Sequence, residues 1–183
     1  MGRIAVIAAA AACLAGCASM GSSNGAPSAP QPLKPVTPTR FYSGVWHEIA
    51  RNPMKLTDGC VAGETRFYRD DAGRLTDRDS CREGTPRGKE KVYAGPMTLL
   101  DPPTDAKFRT DYRVFGPITV SREYWILDHG DDWFIVASPS FKDLSIFTRD
   151  PSPGRQRLDE LVARAKALGY DTSRLEYPQQ PAN

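Results

Sequence analysis

The 183-residue chain predicts an all-β fold, an eight-stranded antiparallel up-and-down barrel with one C-terminal helix packed outside it. Three observations predict it. Eight short strand-like runs follow one another between turn signals, with connections too short for the crossover helices that parallel strands need. A single apolar stripe of helical period stands near the C-terminus. Gly44-Val45-Trp46 opens the first run, joining a glycine free to take positive φ to an aromatic large enough to fill the narrowing end of a barrel.

Before the first strand, Arg3 and an uncharged apolar run from Ile4 to Leu14 read as a signal peptide over residues 1–16, too short for a membrane-spanning helix of ~20 residues. The run ends in Leu14-Ala15-Gly16-Cys17, which resembles the lipobox of bacterial lipoproteins. That resemblance implies that Cys17 becomes the acylated N-terminus and anchors the protein to a membrane through its acyl chains, each buried methylene contributing ~0.8 kcal/mol. Ala18 follows in place of the aspartate associated with inner-membrane retention, so the outer membrane is implied, at its periplasmic face. Residues 17–39 are rich in Ser, Gly and Pro without apolar periodicity and read as a tether that holds the domain of residues 40–183 off the membrane.

Within that domain the expected strands are Val45 to Asn52, Val61 to Arg69, Arg74 to Cys81, Lys89 to Ala94, Lys107 to Phe115, Glu123 to Asp128, Trp133 to Ser138 and Leu144 to Thr148. Turn signals separate them, among them Asp58-Gly59, Glu83-Gly84, Gly95-Pro96, Gly116-Pro117 and His129-Gly130. On the first strand, alternation places Trp46, Glu48 and Ala50 on one face and His47, Ile49 and Arg51 on the other. The mixed charges of Arg66, Arg69, Asp70, Asp71, Arg74, Asp77, Arg78 and Asp79 read as solvated strand faces and turns. Ser152 can cap the helix, Pro153 suits its first turn, and Leu158, Leu161, Val162, Ala165 and Leu168 form its stripe until Gly169. Tyr170 to Tyr177 then makes a last short strand or an extended arm.

A net charge of +2 over the whole chain argues against nucleic acid as a partner. Of four cysteines, Cys13 lies in the signal and Cys17 takes lipid, so Cys60 and Cys81 remain to pair in an exported domain. Closing a loop of that size stabilises a fold by roughly 3 kcal/mol in the chain-entropy account. Those two thiols, with His47 and His129 at no ligand spacing to them, make no metal site, and nothing in the sequence calls for a cofactor. His47 is expected outside the barrel and His129 in a solvent-exposed turn.

Gly44-Val45-Trp46-His47-Glu48-Ile49-Ala50-Arg51 resembles the first conserved region of the lipocalins. Leu127-Asp128 with Trp133 to Pro139 resembles the second region, and Ser145-Ile146-Phe147-Thr148-Arg149-Asp150 the third. The order of these segments, Tyr170-Asp171 and the Gln179-Gln180-Pro181 ending make the bacterial outer-membrane lipoprotein branch the nearest likeness. Cys60 and Cys81 depart from the disulfide positions expected there. The resemblance implies a barrel floor of Gly44, Trp46 and Arg149, with the arginine stacked on the tryptophan.

It also implies a cup for an apolar or amphipathic ligand of fatty acid or lysophospholipid type. Lining residues are expected at Glu48, Phe108, Thr110, Tyr112, Tyr124, Ile126, Ser145 and Phe147, while a one-residue slip would turn Trp125, Leu127 or Ile146 inward instead. An inward Glu48 must be paired, hydrogen-bonded or protonated, and serves either as a head-group anchor or as half of a structural pair. The chain has no Gly-x-Ser-x-Gly, no His-Glu-x-x-His and no phosphate loop, so a carrier is expected and not an enzyme. A barrel aspartate or tyrosine acting as acid or base, a filled barrel that serves only as a structural envelope lipoprotein, and a homodimer all stay open.

Overall fold

In a computed structural model that describes residues 28–181, eight strands close one barrel in sequence order. They are β1 (Gly44–Arg51), β2 (Cys60–Arg69), β3 (Leu75–Glu83), β4 (Glu90–Leu99), β5 (Lys107–Phe115), β6 (Ile118–His129), β7 (Trp133–Ala137) and β8 (Leu144–Thr148). Each is antiparallel to its neighbour, and β8 returns to pair with β1, His47 opposite Thr148 and Glu48 opposite Phe147. Closure leaves no sheet edge to template aggregation.

Two strands extend well past the runs expected of them. β4 continues through Gly95 and Pro96, because the missing Cβ lets the β5 backbone approach: a Cβ on Gly95 would stand 2.0 Å from the Asp111 carbonyl oxygen. β6 begins at Ile118, directly after the Gly116-Pro117 turn, and its first residues carry an exposed hairpin with β5.

Short before the barrel, a single helical turn, α1 (Pro38–Phe41), inserts Phe41 beneath it. At the other end of the chain helix α2 (Arg155–Ala167) lies outside. Gly154, at φ +81°, is its N-cap in place of Ser152, whose backbone N–H is instead held 2.8 Å from Asp150 Oδ1 in the preceding turn. Leu161 and Ala165 are fully buried, flanked by Leu158, Val162 and Leu168, so the apolar stripe is the packed face. It covers the outer side of β7, β8 and β1 through Trp133, Ile135, Ile146, Ile49 and Ala50. This explains why all five residues of β7 are buried: one face meets the helix and the other the interior.

The described end of the segment expected as a tether runs along the barrel. Backbone N–H groups of Ala29, Leu33 and Val36 donate to Pro139, Leu127 and Thr104, and Ala29 and Val36 are buried. His129, expected in solvent, is half-buried, its Nε2 3.1 Å from the Pro35 carbonyl and its ring edge-on to Phe41. After α2, Gly169 takes φ +92° and the chain crosses to β1, where Glu176 pairs with Arg51.

Candidate functional site

The start of β1 and the end of β8 meet at one end of the barrel. Gly44 adopts φ +68°, and a Cβ there would stand 3.3 Å from an Arg149 guanidinium nitrogen. The space it leaves admits Arg149, whose guanidinium carbon lies 3.4 Å from the Trp46 ring centroid. The same Arg149 nitrogen donates at 2.8 Å to the carbonyls of both Ser43 and Val45. Trp46 is 1% exposed, donates its indole N–H to the Phe41 carbonyl, and meets Phe134 edge-on at 4.9 Å. Charge, aromatic faces and backbone acceptors are thus all engaged, and the barrel is closed at this end.

Above that floor lies a cavity of about 140 Å³. Phe67, Phe108, Phe134, Phe147 and Val136 make its apolar wall. Met54, Leu56 and Thr57, from the β1–β2 loop, line its mouth. Cys60 and Cys81 are joined, tying the end of that loop to the mouth end of β3. Of the expected lining residues, Glu48, Phe108, Tyr112, Tyr124, Ser145 and Phe147 face the cavity. Two do not. Ile126 is fully buried in the aromatic cluster that holds Phe41, Trp46 and Phe134; Thr110 is fully buried behind Asp77, to which its hydroxyl donates at 2.9 Å. Trp125, Leu127 and Ile146 turn outward: Trp125 lies under Lys107 Nζ at 4.0 Å, and the other two belong to the cluster beneath α2.

Two polar sets stand in the cup wall, and neither was expected in full. The first joins Glu48 to Arg51. A bulge in the β1–β8 pairing between Glu48 and Ala50 turns both Ile49 and Ala50 outward, and so returns Arg51 to the inner face that simple alternation denies it. Arg51 donates to Glu48 Oε2 at 2.9 Å, to Glu176 Oε1 at 2.6 Å, and to the carbonyls of Thr57 and Cys60. Ser145 donates to Glu48 Oε1 at 2.8 Å. A Cβ on Gly63 would come within 2.7 Å of Glu48 Oε2, so the glycine makes room for the carboxylate. Burial pushes the Glu48 carboxyl above its ordinary value, while Arg51 and Ser145 pull it back. Through these contacts the pair fastens the mouth loop and the C-terminal arm to β1.

The second set belongs to the run of mixed charges that composition alone reads as a solvated strand face. Asp77 is 1% exposed, and Asp77 and Asp79 both line the cavity from β3. Arg78 between them faces the other way, 3.0 Å from Glu90. Thr65 donates to Asp79 Oδ1 at 2.5 Å, and the Tyr112 hydroxyl lies 2.6 Å from Asp79 Oδ2 and 2.8 Å from Asp77 Oδ2. Tyr124 stands 3.3 Å behind it. Asp77 Oδ1 is buried with no partner. Burial, then the neighbouring Asp79 charge, holds the Asp77 carboxyl well above the ordinary carboxylate range, and burial raises Asp79 as well. Burial pushes the Tyr112 hydroxyl up too, so it stays a proton donor. The sequence signal was the period of two: Asp77 and Asp79 share a face that Arg78 does not.

A closed eight-stranded barrel with a plugged floor, an apolar cup and one outer helix defines a small-ligand-binding β-barrel. A profile of the lipocalin-like domain matches residues 39–180, and the chain belongs to the lipocalin family. It is 29% identical over 142 residues to the outer membrane lipoprotein Blc of Vibrio cholerae, covering 76% of this chain and 80% of that protein. Against Blc of Escherichia coli K12 the identity is 27% over 143 residues, with 78% of each chain covered. Among solved structures, insecticyanin of the tobacco hornworm Manduca sexta superposes with a TM-score of 0.63 at 18% identity, over 85% of this chain and 87% of that one.

Proposed function

We propose that this lipocalin is an outer-membrane lipoprotein, acylated at Cys17 and held at the periplasmic face, whose cup reversibly buries lipophilic molecules of fatty acid or lysophospholipid type in envelope lipid maintenance. The signal peptide and Cys17 lie outside the described residues; the lipobox pattern and the names of the Vibrio and Escherichia relatives support this part. The cup carries the ligand reading: four phenylalanines line a cavity with a closed floor and a loop-covered mouth. Each methylene removed from water there contributes ~0.8 kcal/mol to binding, without bond making. At about 140 Å³ the cavity is close to the ~150 Å³ that holds a benzene ring, so a longer chain would extend into the mouth beside Met54 and Leu56.

Mass spectrometry of lipids released from the purified protein, with titration by lysophospholipids and fatty acids, tests the proposal. Co-purifying lipid and saturable one-to-one uptake are expected. An empty protein that takes up neither class would leave a structural envelope lipoprotein as the better reading, and turnover of a bound lipid would make it an enzyme. Labelling with palmitate, and its loss in Cys17→Ser, tests the anchor.

A further inference from the structure

The cup is not chemically neutral. Its wall carries two carboxyl groups for which the protein supplies too few donors. Four carboxyl oxygens belong to Asp77 and Asp79; Thr65 serves one, Thr110 a second, Tyr112, with a single proton, stands between two oxygens and can donate to only one, and a proton kept by Asp77 is taken up in its hydrogen bond to Asp79. Asp77 Oδ1 receives nothing although the residue is 1% exposed and lines the cavity. Among the described residues, no arginine, lysine or histidine lies within ion-pair distance of either aspartate.

The two cations near the cup are otherwise engaged. Arg51 is spent on Glu48, Glu176 and two carbonyls, while Lys91 donates to the Leu56 carbonyl at 3.0 Å at the mouth. A buried acceptor left unpaired costs free energy that a fold meets only where something else completes it. An apolar wall beside an acceptor-rich, donor-poor wall matches one ligand chemistry. The ligand must have an apolar body, and its head must bring N–H donors and positive charge.

Resting on the carrier reading above, we propose that the cup selects amphiphiles with a protonated amine, the ammonium donating to Asp77 Oδ1 and to the Asp79 carboxylate while the apolar part lies against Phe67, Phe108 and Phe147. Such a head replaces the missing donor and offsets the negative charge of the pair. A fatty acid carboxylate at the same place would add a third acid to it, so the ligand class narrows from lipophiles in general to amine-bearing ones. The amine could come from a free alkylamine or from the ethanolamine of a lysophospholipid.

Calorimetric titration of the lipid-free protein at neutral pH with dodecylamine, dodecanol and dodecanoate, each below its micelle concentration or solubility limit, separates head from tail. Dodecylamine should bind about tenfold or more tightly than dodecanol, the scale of one charge-assisted hydrogen bond, and dodecanoate most weakly. In Asp77→Asn/Asp79→Asn the amine should lose its advantage over the alcohol, with circular dichroism and the unfolding midpoint reporting whether the barrel is intact. Equal binding of all three by the native protein, or a preference for dodecanoate, overturns the amine proposal and leaves the carrier reading standing. Failure of even dodecanol to bind overturns both. The native comparison decides the matter without the variant should that variant fold poorly. Lysophosphatidylethanolamine preferred over lysophosphatidylcholine, which lacks N–H donors, assigns the amine to a lipid head; no preference between those two, with dodecylamine still favoured, assigns it to a free amine.

Discussion

The floor of the barrel and the acid wall of the cup are equally buried and oppositely provided for. At the floor, Trp46 is 1% exposed and its indole N–H, its ring face and the guanidinium above it all have partners. On the wall, Asp77 is 1% exposed and one of its oxygens has none. Burial alone therefore does not say what a residue is for. Where every polar atom is satisfied, the group holds the fold together; where one is left short, the fold bears a cost that a ligand can remove.

Substitution at the floor should break the fold first. Trp46→Ala deletes the largest side chain of the inner cluster and leaves Arg149 without its aromatic face, an expected loss of about 3–5 kcal/mol in urea unfolding. The order of ligand affinities should not change; unaltered stability with altered affinity would mean that Trp46 belongs to the cup and not to the floor. Next in size is Arg51→Met, which strands Glu48 as an unpaired buried carboxylate and releases Thr57, at about 3 kcal/mol. Adding Glu48→Gln to it should recover a large part of that loss, because the penalty lies in the stranded charge; no recovery would show that Arg51 acts through its loop contacts alone. Arg149→Ala should cost about 2 kcal/mol, the scale of a cation–π contact, with Arg149→Lys restoring only part because an ammonium lacks the planar face that stacks on Trp46.

The two regions also differed in how readily the sequence disclosed them. The eight strands and single outer helix follow from alternation, turn residues and one apolar stripe, and the barrel has that form. Gly44, Trp46 and Arg149 could be brought together on paper because an aromatic, a glycine and an arginine sit at fixed places in recognisable segments. The acid wall had no such marker. Asp77 and Asp79 occur in a run of alternating charges that looks solvated on composition, and only the strict period of two across Arg78 separates inner from outer residues. Arg51 was less legible still: the bulge that turns it inward belongs to the β1–β8 pairing, and alternation along β1 alone does not announce it. The packing of residues 28–37 was hidden for a related reason, since prolines announce an extended chain but not the surface it lies on.

The smallest expected effect is the one that best distinguishes wall from floor. A carboxyl whose folded value is raised binds more protons folded than unfolded, so stability falls as pH rises from the ordinary value of 3.8 through the raised one. Asp77→Asn removes that titration and the like charge beside Asp79, and should leave the protein about 1 kcal/mol more stable at neutral pH. Asp70, Glu90 and Asp171, held low by hydrogen bonds and nearby arginines, tilt the profile the other way in both proteins, so the difference between native and variant profiles isolates the wall. That difference should be near zero below the ordinary aspartate range and grow toward neutral pH in urea unfolding. A constant difference would mean that Asp77 contributes through packing and not through charge. A variant less stable at every pH would place Asp77 with Trp46, among the groups whose partners are complete.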